Sequence, residues 1–305
     1  MQQFLIGRLI RAVFVLWGVS TVVFLVMRLS GDPIALMVSP DTPPAEIARL
    51  RHELGFDQPL VVQYLVFLRD AAHGNFGQSL RFAEPARTLV LERVEPTLEL
   101  ALLSIVLAIV VAIPVGVLSA LKRNSLYDAV AMAAALLGQS MPTFFLGIVL
   151  ILVFSVQLQL LPAGGRGEWF QLLMPAVTLG AWNMASIARL TRSAMLEVIG
   201  KDYIRTARAK GLGELAVLIG HAFKNFAIPI VTVLGLQFGA LLGGAVVVET
   251  VFAWPGMGRL VIQAINVRDY PVVQAAVFLM AVGFVMINTA VDLLYGALDP
   301  RIRYA

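Results

Sequence analysis

Five cations, Lys201, Arg205, Arg208, Lys210 and Lys224, fall within Lys201–Ile230 of a chain in which only 14% of residues are charged. Charge alone reads as the excess of Lys and Arg that any inner loop of a membrane protein collects; a helix, a Gly-Leu-Gly turn and an amphipathic helix in succession are what suit a grip by another protein. Residues that make and break bonds are sparse. His52, His73 and His221 are far apart and lack the H-E-x-x-H spacing of a zinc hydrolase. Cysteine is absent, which removes disulfides, thiolate metal sites and thiol nucleophiles. No G-x-x-x-x-G-K-[ST] loop cradles a nucleotide phosphate, and no G-x-S-x-G elbow presents a serine. Glu99 and Asp292 lie near the ends of apolar stretches, away from the midplane position that a proton-coupled carrier uses.

Two further groups carry a choice of readings. The stretch "VVVETVFAWPGMGRLVIQAINVRDYP" holds Glu249, Phe252, Trp254 and Asp269 around a Trp254-Pro255-Gly256 turn. These residues either anchor the chain at the membrane interface or form a loop that dips back into an outer gate. Gly235, Gly239 and Gly243 form a doubled G-x-x-x-G, the spacing that lets helix backbones approach in lipid. The seam lies either inside the bundle, or against another subunit or the pore.

The elements that position these residues follow from composition. The 305 residues are 59% apolar, with a mean hydropathy of +0.85. Soluble domains are roughly half apolar and about a quarter charged, so the bilayer is the expected solvent. The sequence pI of 9.6 does not point to nucleic acid, because the basic residues are spread over several short loops. Six apolar stretches are expected to cross: Ala12–Met27, Leu100–Leu121, Ala129–Gly165, Leu172–Ala188, Phe226–Val248 and Tyr270–Val291. The first is expected to be a retained span and not a cleaved signal peptide. The third is too long for one straight crossing and is expected to be a tilted helix broken near Pro142, followed by a loop at Leu161–Gly165. Pro114, Pro142, Pro175 and Pro229 are tolerated kinks or hinges.

Charge sets the orientation. With the N-terminus inside, the cytoplasmic stretches collect Arg8, Arg11, Lys122, Arg123, Arg189, Arg192, the five cations above, Arg301 and Arg303. The short outer loops hold only Arg166, Arg259 and Arg268. This asymmetry places both termini in the cytoplasm.

Between the first two spans, residues 30–93 contain "PPAEIARLRHELGF" and "QPLVVQYLVFLRDAAHG", two amphipathic helices ending at Gly55 and Gly74. The expected organisation is residues 1–29 as N-terminus and first span, 30–93 as a helical extracytoplasmic cap, and 94–305 as a five-helix core. The cap is either a surface decoration or, as its size suggests, a lid over the pore mouth or a docking surface for a delivery protein. Inside the core, about 193–226 is a cytoplasmic loop. There Leu212, Leu215, Ala216, Ile219, Ala222, Phe223 and Phe226 recur at helical intervals, so an amphipathic helix is expected to hold a basic helical turn by a greasy foot.

Several strings in order carry a resemblance over nearly the whole chain: "LGFDQPLVVQYLVFL", "GNFGQSLRF", "LPAGGRG", "ARLTRSAMLEV", "DYIRTARAKGL", "GAVVVETVFAWPGMGRL", "RDYPVVQ" and "LDPRIRY". The chain resembles the permease subunits of ABC importers of the dipeptide, oligopeptide and nickel type. The resemblance implies an all-α membrane protein with six transmembrane helices, type I importer-like, in the bacterial inner membrane. It implies a second related permease, two ATPase subunits that use ATP and magnesium, and an extracytoplasmic solute-binding protein. No cofactor, catalytic residue or metal site is implied in this chain, and no nucleic acid. The family's E-A-A loop maps onto Arg205, Thr206, Ala207, Arg208, Lys210, Gly211, Leu212 and Gly213, which implies a helix docked on an ATPase. The glutamate is replaced by Arg205, so the docking role carries over without the acidic salt bridge. A stand-alone channel or ion-coupled secondary carrier is the alternative, disfavoured by the lack of midplane charge.

Overall fold

The computed structural model describes residues 2–29, 34, 38 and 41–298, and these are helical with connecting turns. Arg301 and Arg303, the side chains of Lys224 and Asp292, and the surroundings of Gly239 lie outside the described residues. The chain divides into two compact units. One takes residues up to Thr97 and Pro255–Thr289; the other takes Leu98–Trp254 and Ala290–Leu298.

In the first unit, α1 (Gln2–Leu29), α2 (Pro44–Glu53) and α3 (Leu60–Ala72) precede the start of α4 (Ala86–Leu121). Phe24 of α1 meets Tyr64 and Phe67 of α3 at ring separations of 5.2 and 5.8 Å. Helices α2 and α3 stop where expected. Gly55 and Gly74 have φ of +68° and +71°, and the chain folds back through Phe56 N–H to Arg51 O and Asn75 N–H to Asp70 O. A left-handed residue at this place favours glycine, which has no Cβ to clash. The core joins Phe76, Val90 and Tyr270 to α11 (Met257–Asn266) and α12 (Tyr270–Leu298). Helix α4 begins inside the segment expected to be extracytoplasmic cap, because Val90 and its neighbours Leu89 and Val94 pack on this core and hold the polar first turns helical.

In the second unit, α4 continues past Leu98. It is followed by α5 (Leu126–Ser140), α6 (Thr143–Leu150) with a π-helical extension Ile151–Gln157, and α7 (Leu173–Ile199). Then come α8 (Asp202–Ala209), α9 (Glu214–Val217) and, after a π turn at Leu218–Ala222, α10 (Phe223–Val251). In lipid, helices associate by close packing and not by escape from water. Helices α4 and α7 do so through two glycines. A Cβ on Gly116 would stand 2.5 Å from Ala188 O and 2.6 Å from Thr191 Cβ; one on Gly180 would stand 2.9 Å from Ser104 O.

Each expected span coincides with a helix or helix pair. Ile6–Leu29, Ala86–Leu121 and Tyr270–Val291 are long and apolar enough to cross on their own. Helix α7 is long enough, but Arg189, Arg192 and Glu197 make its second half polar. The third expected span breaks at Met141 and Pro142, as its proline predicts, and the chain bends there by 111°, which makes the pair a broken span or a re-entrant loop and not one straight tilted helix. Pro142 excludes helical backbone at Met141, whose ψ of 131° is extended.

Candidate functional site

The basic segment forms an elbow between two long helices, α7 and α10. Gly200 and Lys201 are all that separate α7 from α8, and α9 runs through its π turn into α10 without a break. Ile204 and Ala207 of α8, Val217, Ala222 and Phe226 are buried in one core with Met195 and Val198 of α7. The elbow is therefore packed into the core that both helices share. At its tip Gly211 has a φ of +79°, which a side chain rarely adopts, and this reverses the chain between α8 and α9. A clasp holds the reversal: Arg208 Nε donates to Glu214 Oε1 at 2.7 Å and Nη2 to Oε2 at 3.2 Å. That hydrogen-bonded pair pushes the guanidinium up and holds the Glu214 carboxyl below its ordinary value. Tyr203 accepts from Asn225 Nδ2 at 3.0 Å, a second tie from α8 to α10.

The outward surface is mixed. Arg205, Thr206, Lys210, Gly211, Leu212 and Gly213 are exposed, and Arg208 is partly so. The greasy foot is smaller than the sequence spacing predicts. Ala222 and Phe226 are buried, but Leu215, Ile219 and Phe223 are 71%, 64% and 47% exposed. The reason is the π turn. Its extra residue moves the inward face from the expected register to Val217, Ala222 and Phe226, at spacings of five and four. Leu215, Ile219 and Phe223 then form an outward stripe beside the basic tip.

Above the elbow lies a brace that the sequence analysis missed. Arg192 of α7 donates from Nε to Asp128 Oδ1 at 2.6 Å and from Nη2 to Oδ2 at 2.7 Å. Asp128 is 4% exposed and also accepts from Asn124 N–H at 3.0 Å. Its own N–H donates to Ser125 Oγ, the N-cap of α5. The sequence signal was the S-x-x-D spacing of Ser125 and Asp128, which marks a helix start. The partner 64 residues away left no local trace.

At the other end of this unit, Glu249, Phe252 and Trp254 are fully buried. Trp254 N–H donates to Glu249 O at 2.8 Å, tightening the end of α10. The loop around Gly164 and Gly165 lies on it. Gly165 N–H donates to Phe252 O at 2.9 Å, and a Cβ on Gly164 would stand 2.1 Å from that oxygen. Gly147 of α6 receives the Phe252 ring, with 3.1 Å between its Cβ position and Phe252 Cε2. Asp269 belongs to the first unit and has anchoring partners there: Ser79 Oγ and Leu80 N–H both donate to its carboxylate. In the same unit Thr97 Oγ1 accepts the Met257 N–H, capping α11 at 2.9 Å.

Gly243 of the expected seam has nothing within 4 Å of its Cβ position. Close approaches between α4 and α7 are at Gly116 and Gly180. Among the described residues no three His, Asp or Glu side chains gather as metal ligands. His52 instead pairs with Asp57 at 2.6 Å on the surface. This hydrogen bond raises the imidazole pKa and lowers that of the carboxyl.

Long apolar helices, with a polar elbow joining two of the helices, are the build of a membrane protein. Residues 112–304 match the family model of the binding-protein-dependent transport system inner membrane component, and residues 1–101 match the N-terminal model of the same systems. The chain belongs to this family and is a permease subunit of an ABC importer. It is 43% identical over all 305 residues of both chains to the glutathione transport system permease protein GsiC of Escherichia coli strain K12, and equally to that of Shigella dysenteriae serotype 1. Two solved structures share the fold. The inward-facing MetNI methionine ABC transporter matches with a TM-score of 0.56 at 22% identity, covering 69% of this chain and 96% of that one. An amino acid ABC transporter crystallised with histidines matches with 0.55 at 15%, covering 69% and 94%.

Proposed function

We propose that the chain lines one half of a path for short peptides and solutes of similar size, glutathione among them. A second homologous permease supplies the other half. Two ATPase subunits use ATP and magnesium on the cytoplasmic side, and an extracytoplasmic solute-binding protein delivers the cargo, with residues 30–93 as its landing surface. This chain is the non-catalytic part and holds no cofactor. Both termini face the cytoplasm, in keeping with the distribution of Lys and Arg. The GsiC likeness supports the peptide-sized cargo.

The observation that carries this reading is the elbow. A partner that grips Arg205–Gly213 moves α7 and α10 together, because Ile204, Ala207, Val217 and Phe226 lock the elbow into the core they share. The exposed stripe of Leu215, Ile219 and Phe223 beside the cations offers an ATPase subunit an apolar contact within a charged rim, the usual make-up of a protein interface. Glu249, Phe252 and Trp254 are proposed to close the outer end, and Asp269 to hold the 79–80 turn in place. Gly235, Gly239 and Gly243 are proposed to face the second permease.

Gly211→Asp tests the docking. A Cβ there meets nothing within 4 Å, so the change costs about 1–2 kcal/mol of left-handed strain and leaves the bundle intact. It also puts a carboxylate at the tip. The expected result is loss of the ATPase subunits on purification from a membrane fraction that still holds the permease. Full retention of the ATPases counts against docking at this tip. Transport that persists after deletion of the ATPase genes favours the channel or carrier.

A further inference from the structure

Helices α4, α5 and α7 enclose a groove of about 400 Å³ in the second unit. Its walls are apolar, with Val111, Ala131, Ala134, Gly138 and Met184 among them. Along α5 it runs from Tyr127 to Gly138, about 16 Å at 1.5 Å per residue. The hydrocarbon core is ~30 Å thick, so the groove is about as long as one leaflet is thick.

The Tyr127 end is basic. Lys122 Nζ stands 5.8 Å from the Tyr127 ring centroid, Arg123 follows it in sequence, and both are exposed. The neighbouring carboxylate, Asp128, is occupied by Arg192 and the Asn124 N–H. This mouth therefore keeps a surplus of positive charge.

We infer that the groove seats an acyl chain of an anionic phospholipid whose phosphate is held by Lys122 and Arg123. Length and charge select this occupant together. A helix of a neighbouring subunit crosses the whole membrane with roughly 20 residues, and would fill a groove of twice this length. It would also leave the two cations without a counter-charge. A lipid meets both conditions: charge-assisted hydrogen bonds at the phosphate, and an apolar tail one leaflet long. Tyr127 lies between them, where the amphipathic ring is at home. The chain would wedge between α5 and α7, the helices braced by Asp128 and Arg192.

Native mass spectrometry of the whole importer, purified from membranes of phosphatidylglycerol and phosphatidylethanolamine, tests this. The wild type is expected to retain phosphatidylglycerol. Lys122→Gln with Arg123→Gln changes two exposed side chains and is expected to lower that retention about 30-fold at unchanged yield. Ala134→Phe places a ring in the groove and is expected to abolish it. Equal phosphatidylglycerol on the wild type and both variants overturns the proposal. A benzophenone attached at Ala134→Cys names the occupant: label on lipid supports the inference, and label on a neighbouring permease subunit overturns it.

Discussion

Asp128→Ala is expected to be among the most destabilising single changes in the chain. Its carboxylate accepts two Arg192 nitrogens and the Asn124 N–H, and its side chain is 6% exposed. Breaking a buried pair by removing one partner costs about 3–5 kcal/mol, because the other charge is left without compensation. Arg192 is 25% exposed, so water relieves part of this and the loss falls at the lower end. Thermal unfolding of the purified complex, followed by tryptophan fluorescence, reads the effect. Arg192→Ala is expected to cost as much. The double variant is expected to recover part of the loss, since it leaves no unpaired charge. Additive losses in the double variant would mean that the two side chains act independently. The brace has a functional consequence too. It holds the start of α5 to α7 just before the elbow, so a loosened brace is expected to lower transport per ATP hydrolysed more than the hydrolysis itself.

Gly164→Ala is the second large effect. The added methyl would lie 2.1 Å from Phe252 O, 2.7 Å from its carbonyl carbon and 3.3 Å from its Cα. All three are backbone atoms and cannot rotate away. The loop has to lift, and the Gly165 N–H bond to Phe252 O goes with it. Overpacking costs about 1–3 kcal/mol, and the hydrogen bond adds about 1 kcal/mol. A lower yield of folded complex and a lower melting temperature are expected. Gly18→Ala, where a Cβ meets nothing within 4 Å, is expected to leave both unchanged. Equal behaviour of the two variants would contradict the close contact at Phe252.

These two residues also mark where the sequence was legible. Local rules located the helices, the break at Pro142 and the reversals at Gly55, Gly74 and Gly211. Each of these depends on residues within a few positions of one another. Asp128 and Arg192 are far apart in the chain, as are Gly164 and Phe252, and no periodicity connects them. Close helix contacts were hidden in a similar way: Gly116 and Gly180, which bring α4 and α7 together, lie on different helices and carry no shared pattern. The elbow was legible as charge and as a glycine stop. Its apolar face was not, because a π turn is invisible to a 3.6-residue period and rotates everything before it.

The chain contains no cysteine, so a single one can report on the elbow. The most direct measurement attaches a short photo-crosslinker to Leu215→Cys, on the exposed stripe beside the basic tip, in the assembled importer. Products containing an ATPase subunit are expected, with a yield that changes between nucleotide-free and ATP-bound states. Products that contain only lipid, in every nucleotide state, would contradict a grip by the ATPase on this segment.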